Sequence, residues 1–65
     1  MVFKSGFLLE SPEQIAAAIF NKSNVTVWQN GSILDYGGLI EAQTELSVTI
    51  NGERYLKATC EFRIR

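Results

Sequence analysis

The chain reads as a single α+β domain over residues 1–65: one short helix packed on one face of a curled, mainly antiparallel sheet. The expected order is β-α-β-β-β, with a long, glycine-kinked third strand. Three observations predict this. Between Leu34 and Ile50 the even positions carry Leu34, Tyr36, Ile40, Leu46, Val48 and Ile50, while Glu41, Gln43, Glu45, Ser47 and Thr49 between them are polar. Such period-two alternation means extended antiparallel strands with one face buried and one solvated. Ser11-Pro12-Glu13-Gln14 opens a helix, and two Asn-Gly pairs, Asn30-Gly31 and Asn51-Gly52, mark hairpin turns.

Residues 2–9 form the first expected strand. Phe3, Phe7 and Leu9 lie on one side, Val2 and Leu8 on the other, and Gly6 marks a bulge or close backbone approach. In the helix, Ser11 caps the free amides, Pro12 suits the first helical position, and Gln14 completes a capping box. Glu13 sits at the favourable end of the dipole. The helix is expected to end at residue 21 or 22. Ile15, Ala16, Ile19 and Phe20 form its inner face, with Gln14, Ala17, Ala18 and Asn21 opposite.

A strand over residues 24–29 precedes Asn30-Gly31, where a two-residue type I′ turn pairs Trp28 with Ile33 and Val27 with Leu34. It also sets Thr26 against Asp35 and Val25 against Tyr36. Gly37-Gly38 kinks the long strand that follows, letting the sheet curl around the helix. At Asn51-Gly52, a two-residue turn would set Val48 against Tyr55 and Leu46 against Lys57. That puts the apolar set of one strand on the polar face of its neighbour. A three-residue loop with a bulge at Gly52 restores parity, pairing Leu46 with Leu56, Ala42 with Cys60, Ile40 with Phe62 and Glu45 with Lys57. It also leaves Glu41 facing Glu61 at a cost of ~0.2–1 kcal/mol. The expected core includes Ile15, Ile19, Phe20, Val25, Val27, Leu34, Ile40, Leu46, Val48, Leu56, Cys60 and Phe62, with even-numbered side chains after residue 33 facing inward.

A chain of 65 residues buries only about 60% of its unfolded surface. One cysteine and no histidine provide neither an internal disulfide nor a structural zinc site. Stability then rests on packing or on a partner subunit, which favours a homo-oligomer, a dimer first. A formal charge of −1 gives no general attraction to nucleic acid or anionic membrane. No apolar run approaches the ~20 residues of a membrane span. The opening residues lack the pattern of a secretory signal, which leaves a cytoplasmic location as the expectation. The sequons at Asn21, Asn24 and Asn30 then read as turn-rich composition.

The Met1-Val2-Phe3-Lys4 opening and the strand–helix–hairpin order resemble the dodecins, small flavin-binding oligomers. The shorter helix and the additional Asn30-Gly31 hairpin depart from that pattern, so no flavin site is carried over and no cofactor is expected.

No catalytic constellation stands out. Histidine is absent, and Cys60 falls mid-strand on the expected buried face, where a thiol behaves as a small apolar residue. Glu41 and Glu61 are too few ligands for a divalent cation. The chain is therefore not expected to be an enzyme. The anomaly is on the expected wet face, where Trp28 and Ile33 pair across strands and Leu39 lies beyond the kink. Tyr55, Lys57 and Arg63 continue that face. Large apolar residues on a polar sheet face mark a contact surface. The expected function is a homo-oligomeric interaction module that binds another protein through a sheet face or strand edge. The alternative is a small-ligand or nucleic-acid binder using Trp28, Tyr55 and the C-terminal basic residues, though the interleaved carboxylates argue against nucleic acid.

Overall fold

The computed structural model describes residues 3–65, so the expectation for Val2 lies outside the described residues. The elements are β1 (Leu8–Leu9), α1 (Pro12–Phe20), β2 (Asn24–Gln29), β3 (Ser32–Gln43), β4 (Ser47–Ile50), β5 (Glu53–Leu56) and β6 (Glu61–Ile64). The six strands form an open antiparallel sheet in the order β1-β6-β2-β3-β4-β5, curled around a single core. The fold class is the predicted α+β. The strand count is not, because the stretch after Ser32 folds as four strands, which also removes the dodecin-like order.

The first strand is shorter than expected. Before Leu8 the chain turns, with the Phe7 amide donating to the Lys4 carbonyl at 3.0 Å and Gly6 at φ +84°. The Phe3 and Phe7 rings stack at 5.1 Å between centroids. Leu8 and Leu9 pair with Arg63 and Phe62 of β6, and just before them the Gly6 amide donates to the Ile64 carbonyl at 2.7 Å.

The helix begins as its residues dictate. Ser11 Oγ accepts the Gln14 amide at 3.2 Å, and Gln14 Oε1 accepts the amides of Ser11 at 3.2 Å and Glu10 at 2.7 Å. It ends in a Schellman motif: the Ser23 amide donates to Ala18 O at 3.0 Å and the Lys22 amide to Ile19 O at 3.1 Å. Lys22 takes the left-handed conformation (φ +54°) where glycine is usual. The buried stripe is Ile15 and Ala18 with Ile19 partly buried, whereas Ala16 is exposed and Phe20 is 86% exposed. Both stripes contain Ile15 and Ile19. The small Ala18 lets the helix sit close to the sheet, and the bulkier Phe20 is turned to solvent.

The first Asn-Gly turn is type I′, with φ +52° and +78°, and pairs Trp28 with Ile33. Beyond it the expected register fails. Val27 faces Asp35 and Val25 faces Gly38, because β3 carries extra residues at Leu34 and at Tyr36-Gly37. Each bulge shifts parity, so Leu34 and Tyr36 are exposed while Ile40 is buried. The glycine kink is real: a Cβ on Gly37 (φ +68°) would lie 2.0 Å from the Val25 carbonyl oxygen. Only glycine allows the two backbones so near.

A further shift at Glu41 sets Ala42 against Thr49 and Gln43 against Val48. Gln43, expected on the wet face, instead donates to the Pro12 carbonyl at 3.0 Å at the start of the helix. The chain then reverses at residues 44–47, a turn without glycine, asparagine or proline. Thr44 supplies it: Oγ1 accepts the amides of Leu46 at 3.2 Å and Ser47 at 3.0 Å, while its own amide donates to Ser47 O at 2.8 Å. Leu46 therefore sits on a turn, 71% exposed.

Asn51-Gly52 is the two-residue turn after all, with φ +53° and +78°, pairing Ile50 with Glu53, Val48 with Tyr55 and Ser47 with Leu56. The parity objection assumed an unbroken strand from Glu53 to Arg65. A turn at residues 57–59, closed by the Thr59 and Cys60 amides on Leu56 O, separates β5 from β6. Tyr55 can thus face the core while Leu56 stays 53% exposed. β6 pairs with β2, Val25 against Ile64 and Val27 against Phe62, so the expected pairs of Ile40 with Phe62, Ala42 with Cys60, Leu46 with Leu56, Glu45 with Lys57 and Glu41 with Glu61 do not form.

The buried core is Leu9, Ile15, Ala18, Val25, Val27, Ile40, Val48, Ile50, Phe62 and Ile64, with Phe3, Ile19, Tyr55 and Cys60 packed against it. Leu34, Leu46, Leu56 and Phe20 leave the expected core, Leu9 and Ala18 enter it, and Ile50 and Ile64 are buried as their even positions imply.

Candidate functional site

The outer face of β2 and β6 holds a linked set of side chains. In β2, Asn24, Thr26 and Trp28 alternate with the buried Val25 and Val27. Their strand partners are Leu39 for Asn24, Arg63 for Thr26, and Ile33 and Glu61 for Trp28. Trp28 Nε1 donates to Thr26 Oγ1 at 3.0 Å, and Thr26 Oγ1 donates to the Arg63 carbonyl at 3.3 Å. The Arg63 guanidinium lies 5.5 Å from the Trp28 ring centroid and pairs with Glu61 at 3.2 Å. A half-exposed cation–π contact of this kind contributes about 0.5–1 kcal/mol. Trp28 is thereby held in one orientation, its edge bonded and its ring beside a cation.

Ile33 and Leu39 flank this set and are exposed, as are Leu34 and Tyr36 between them. Among the described residues, half of the exposed large apolar side chains belong to β3. Trp28, Ile33, Leu39 and Arg63 share the outer face as the sequence suggests. Tyr55 and Lys57 do not join them, because the turns at 44–47 and 57–59 carry both elsewhere.

Tyr55 packs against the core and its hydroxyl donates to Asp35 Oδ2. Asp35 Oδ1 also accepts the Gly37 amide at 2.8 Å. The Tyr55 hydroxyl, with the Gly37 amide second, holds the Asp35 carboxyl below the usual carboxylate range. In turn the Asp35 carboxylate pushes Tyr55 up to about 12. This pair ties β3 to β5 across the curl of the sheet, a structural role.

Lys57 Nζ donates to Gln43 Oε1 at 2.9 Å. Its stem lines an open groove of about 370 Å³ with Glu45, Leu46, Leu56 and Ala58. Sequence reasoning missed this groove, since it placed both leucines in the core. It also missed Leu34 and Tyr36; the signal was the Ile33-Leu34 doublet, which a regular strand cannot bury on one face.

Cys60 is half-buried against the core, next to Thr59. Glu41 accepts the Gly52 amide at 3.2 Å, while Glu61 lies on β6, paired with β2, so the two carboxylates are not cross-strand neighbours. Among the described residues no three metal-ligating side chains come together, and no helix is long and apolar enough to cross a membrane. No protein-family model, curated protein or solved structure matches the chain significantly.

Proposed function

We propose that the protein is a small cytoplasmic, non-catalytic interaction module. It acts as a homodimer through the outer face of β2 and β3 and binds another protein through a remaining sheet face or strand edge. The observation that carries this reading is the exposed strip of Ile33, Leu34, Tyr36 and Leu39 beside the immobilised Trp28. Contact patches combine such rigid aromatic anchors with apolar neighbours, and Trp and Arg dominate their energetics. A chain this small also gains most from burying apolar surface against a second copy. The edges left for a protein partner are β1 and β5. Of these, β5 is the longer and offers backbone groups to an added strand.

The ligand and nucleic-acid alternative has less support. Trp28 and Tyr55 lie on opposite sides of the sheet, Arg63 is engaged by Glu61 and Trp28, and Lys57 by Gln43.

Sedimentation equilibrium of the wild type and an Ile33→Ser/Leu39→Ser variant tests the proposal. Both positions are exposed, so the variant should fold. At micromolar concentration the wild type should sediment as a dimer and the variant as a monomer. Indistinguishable association of the two would discard the outer face as the contact.

A further inference from the structure

We propose that the groove at the turns 44–47 and 57–59 receives the Phe20 side chain of a second copy of this chain. This head-to-tail contact is separate from the outer-face dimer and does not rest on it. Phe20 is the most exposed large apolar residue described, at 86%. The backbone of this knob is fixed, because Phe20 occupies the last position of α1 and the Schellman motif at Lys22 sets the chain's exit. The groove has an apolar lining of Leu46, Leu56 and Ala58. Its walls are pinned together by the Lys57 amide, which donates to the Leu46 carbonyl at 2.8 Å.

Charge on the two parts is complementary. Lys22 stands two residues beyond the knob, and Glu45 stands on the rim of the groove. Neither forms an ion pair within the chain among the described residues, whereas Lys57 on the same rim is held by Gln43. An approaching copy can therefore set Phe20 between Leu46 and Leu56 while Lys22 meets Glu45.

Knob and groove do not meet within one molecule. Gln43, beside the groove, is bonded to Pro12 at the start of the helix, and Phe20 closes its far end. Eight helical steps put ~12 Å between them. A knob on one part of a chain that fits a groove on another makes a heterologous contact, which propagates unless the rotation closes a ring.

The test uses the full chain carrying Ile33→Ser/Leu39→Ser, so that its outcome is independent of the outer-face dimer. This background, a monomer at micromolar concentration, should grow past the dimer in sedimentation equilibrium as it is raised to millimolar concentration. Adding Phe20→Ser, or Leu46→Ser, should weaken association at least ~10-fold, as loss of a central anchor does. An equimolar mixture of those two variants has one intact knob and one intact groove per pair. It should form a 1:1 complex and nothing larger. Lys22→Glu should weaken assembly, and Glu45→Lys in the same chain should restore it. The proposal is overturned by a background that stays monomeric at millimolar concentration, by a Phe20→Ser variant that assembles like its parent, or by a mixture that stays monomeric.

Discussion

Asn30-Gly31 and Asn51-Gly52 adopt the same turn, with φ of +52° and +78° in the first and +53° and +78° in the second. The strands that leave them behave differently. After the first turn, β3 runs twelve residues and changes parity at Leu34, at Tyr36-Gly37 and at Glu41 without ceasing to be a strand. After the second, β5 keeps register for four residues and then stops, and the chain goes on to pair with β2 instead of β4. A turn sets the register of the pairs beside it. That register lasts only to the next bulge or reversal, so parity carried further along the sequence is not a constraint. The two hairpins are also joined, since Asn51 Nδ2 donates to the Gly37 carbonyl at 3.1 Å and Glu41 accepts the Gly52 amide. The second turn is thus folded onto the bulge that follows the first.

The strongest way to break this arrangement is at the bulge. Gly37→Ala would drive a methyl into the Val25 carbonyl, whereas nothing lies within 4 Å of a Cβ on Gly31. Gly37→Ala should cost on the order of 4 kcal/mol or abolish folding. Gly31→Ala has only its left-handed conformation to oppose it, about 1–2 kcal/mol. Urea unfolding of both variants measures the difference, and equal losses would mean that β2 and β3 do not approach so closely there.

Next in size is the contrast between Phe62 and Leu46, which share even parity but not environment. Phe62 is 2% exposed and Leu46 71%. Phe62→Ala should cost about 3–5 kcal/mol, and Phe62→Asp should unfold the chain. Leu46→Ala should stay within ~0.5 kcal/mol. Comparable effects by thermal denaturation would restore a continuous alternating strand through residue 46.

The Asp35–Tyr55 bond couples the strands leaving the two turns and gives the comparison a pH signature. Asp35 is lowered in the folded state, so its contribution is full above the ordinary carboxylate range and fades as pH falls through the lowered value. Tyr55 is raised, so its contribution is full below its ordinary 10 and is lost as pH climbs toward about 12. The difference in urea midpoint between wild type and Tyr55→Phe should therefore be flat near neutrality and shrink at both extremes. A pH-independent difference would remove the bond from the account.

The smallest effect separates the turns themselves. Asn→Gly preserves positive φ at either site. Asn51→Gly also removes the bond to Gly37 and should cost about 0.5–1.5 kcal/mol. Asn30→Gly should change stability by no more than a few tenths. Equal values from chemical denaturation would mean that the second turn is no better tied than the first.

By itself, the order of residues determined the helix start at Ser11 through Gln14, the Asn30-Gly31 turn, the position though not the type of the Asn51-Gly52 turn, the need for glycine near position 37, and the outer-face pairing of Trp28 with Ile33. Each depends on chemistry within a few residues: a hydroxyl facing an amide, a positive φ, a missing Cβ. Only the tertiary structure decided which leucines are wet, where β6 pairs, that Tyr55 reaches Asp35, and that Leu46 and Leu56 line a groove. Those outcomes hang on two reversals that carry no glycine or proline. One is built by the Thr44 hydroxyl and the other by Leu56 O accepting two amides. Residues able to make such turns are equally at home in a strand, and packing against the Val25–Val27 strand chose between the two.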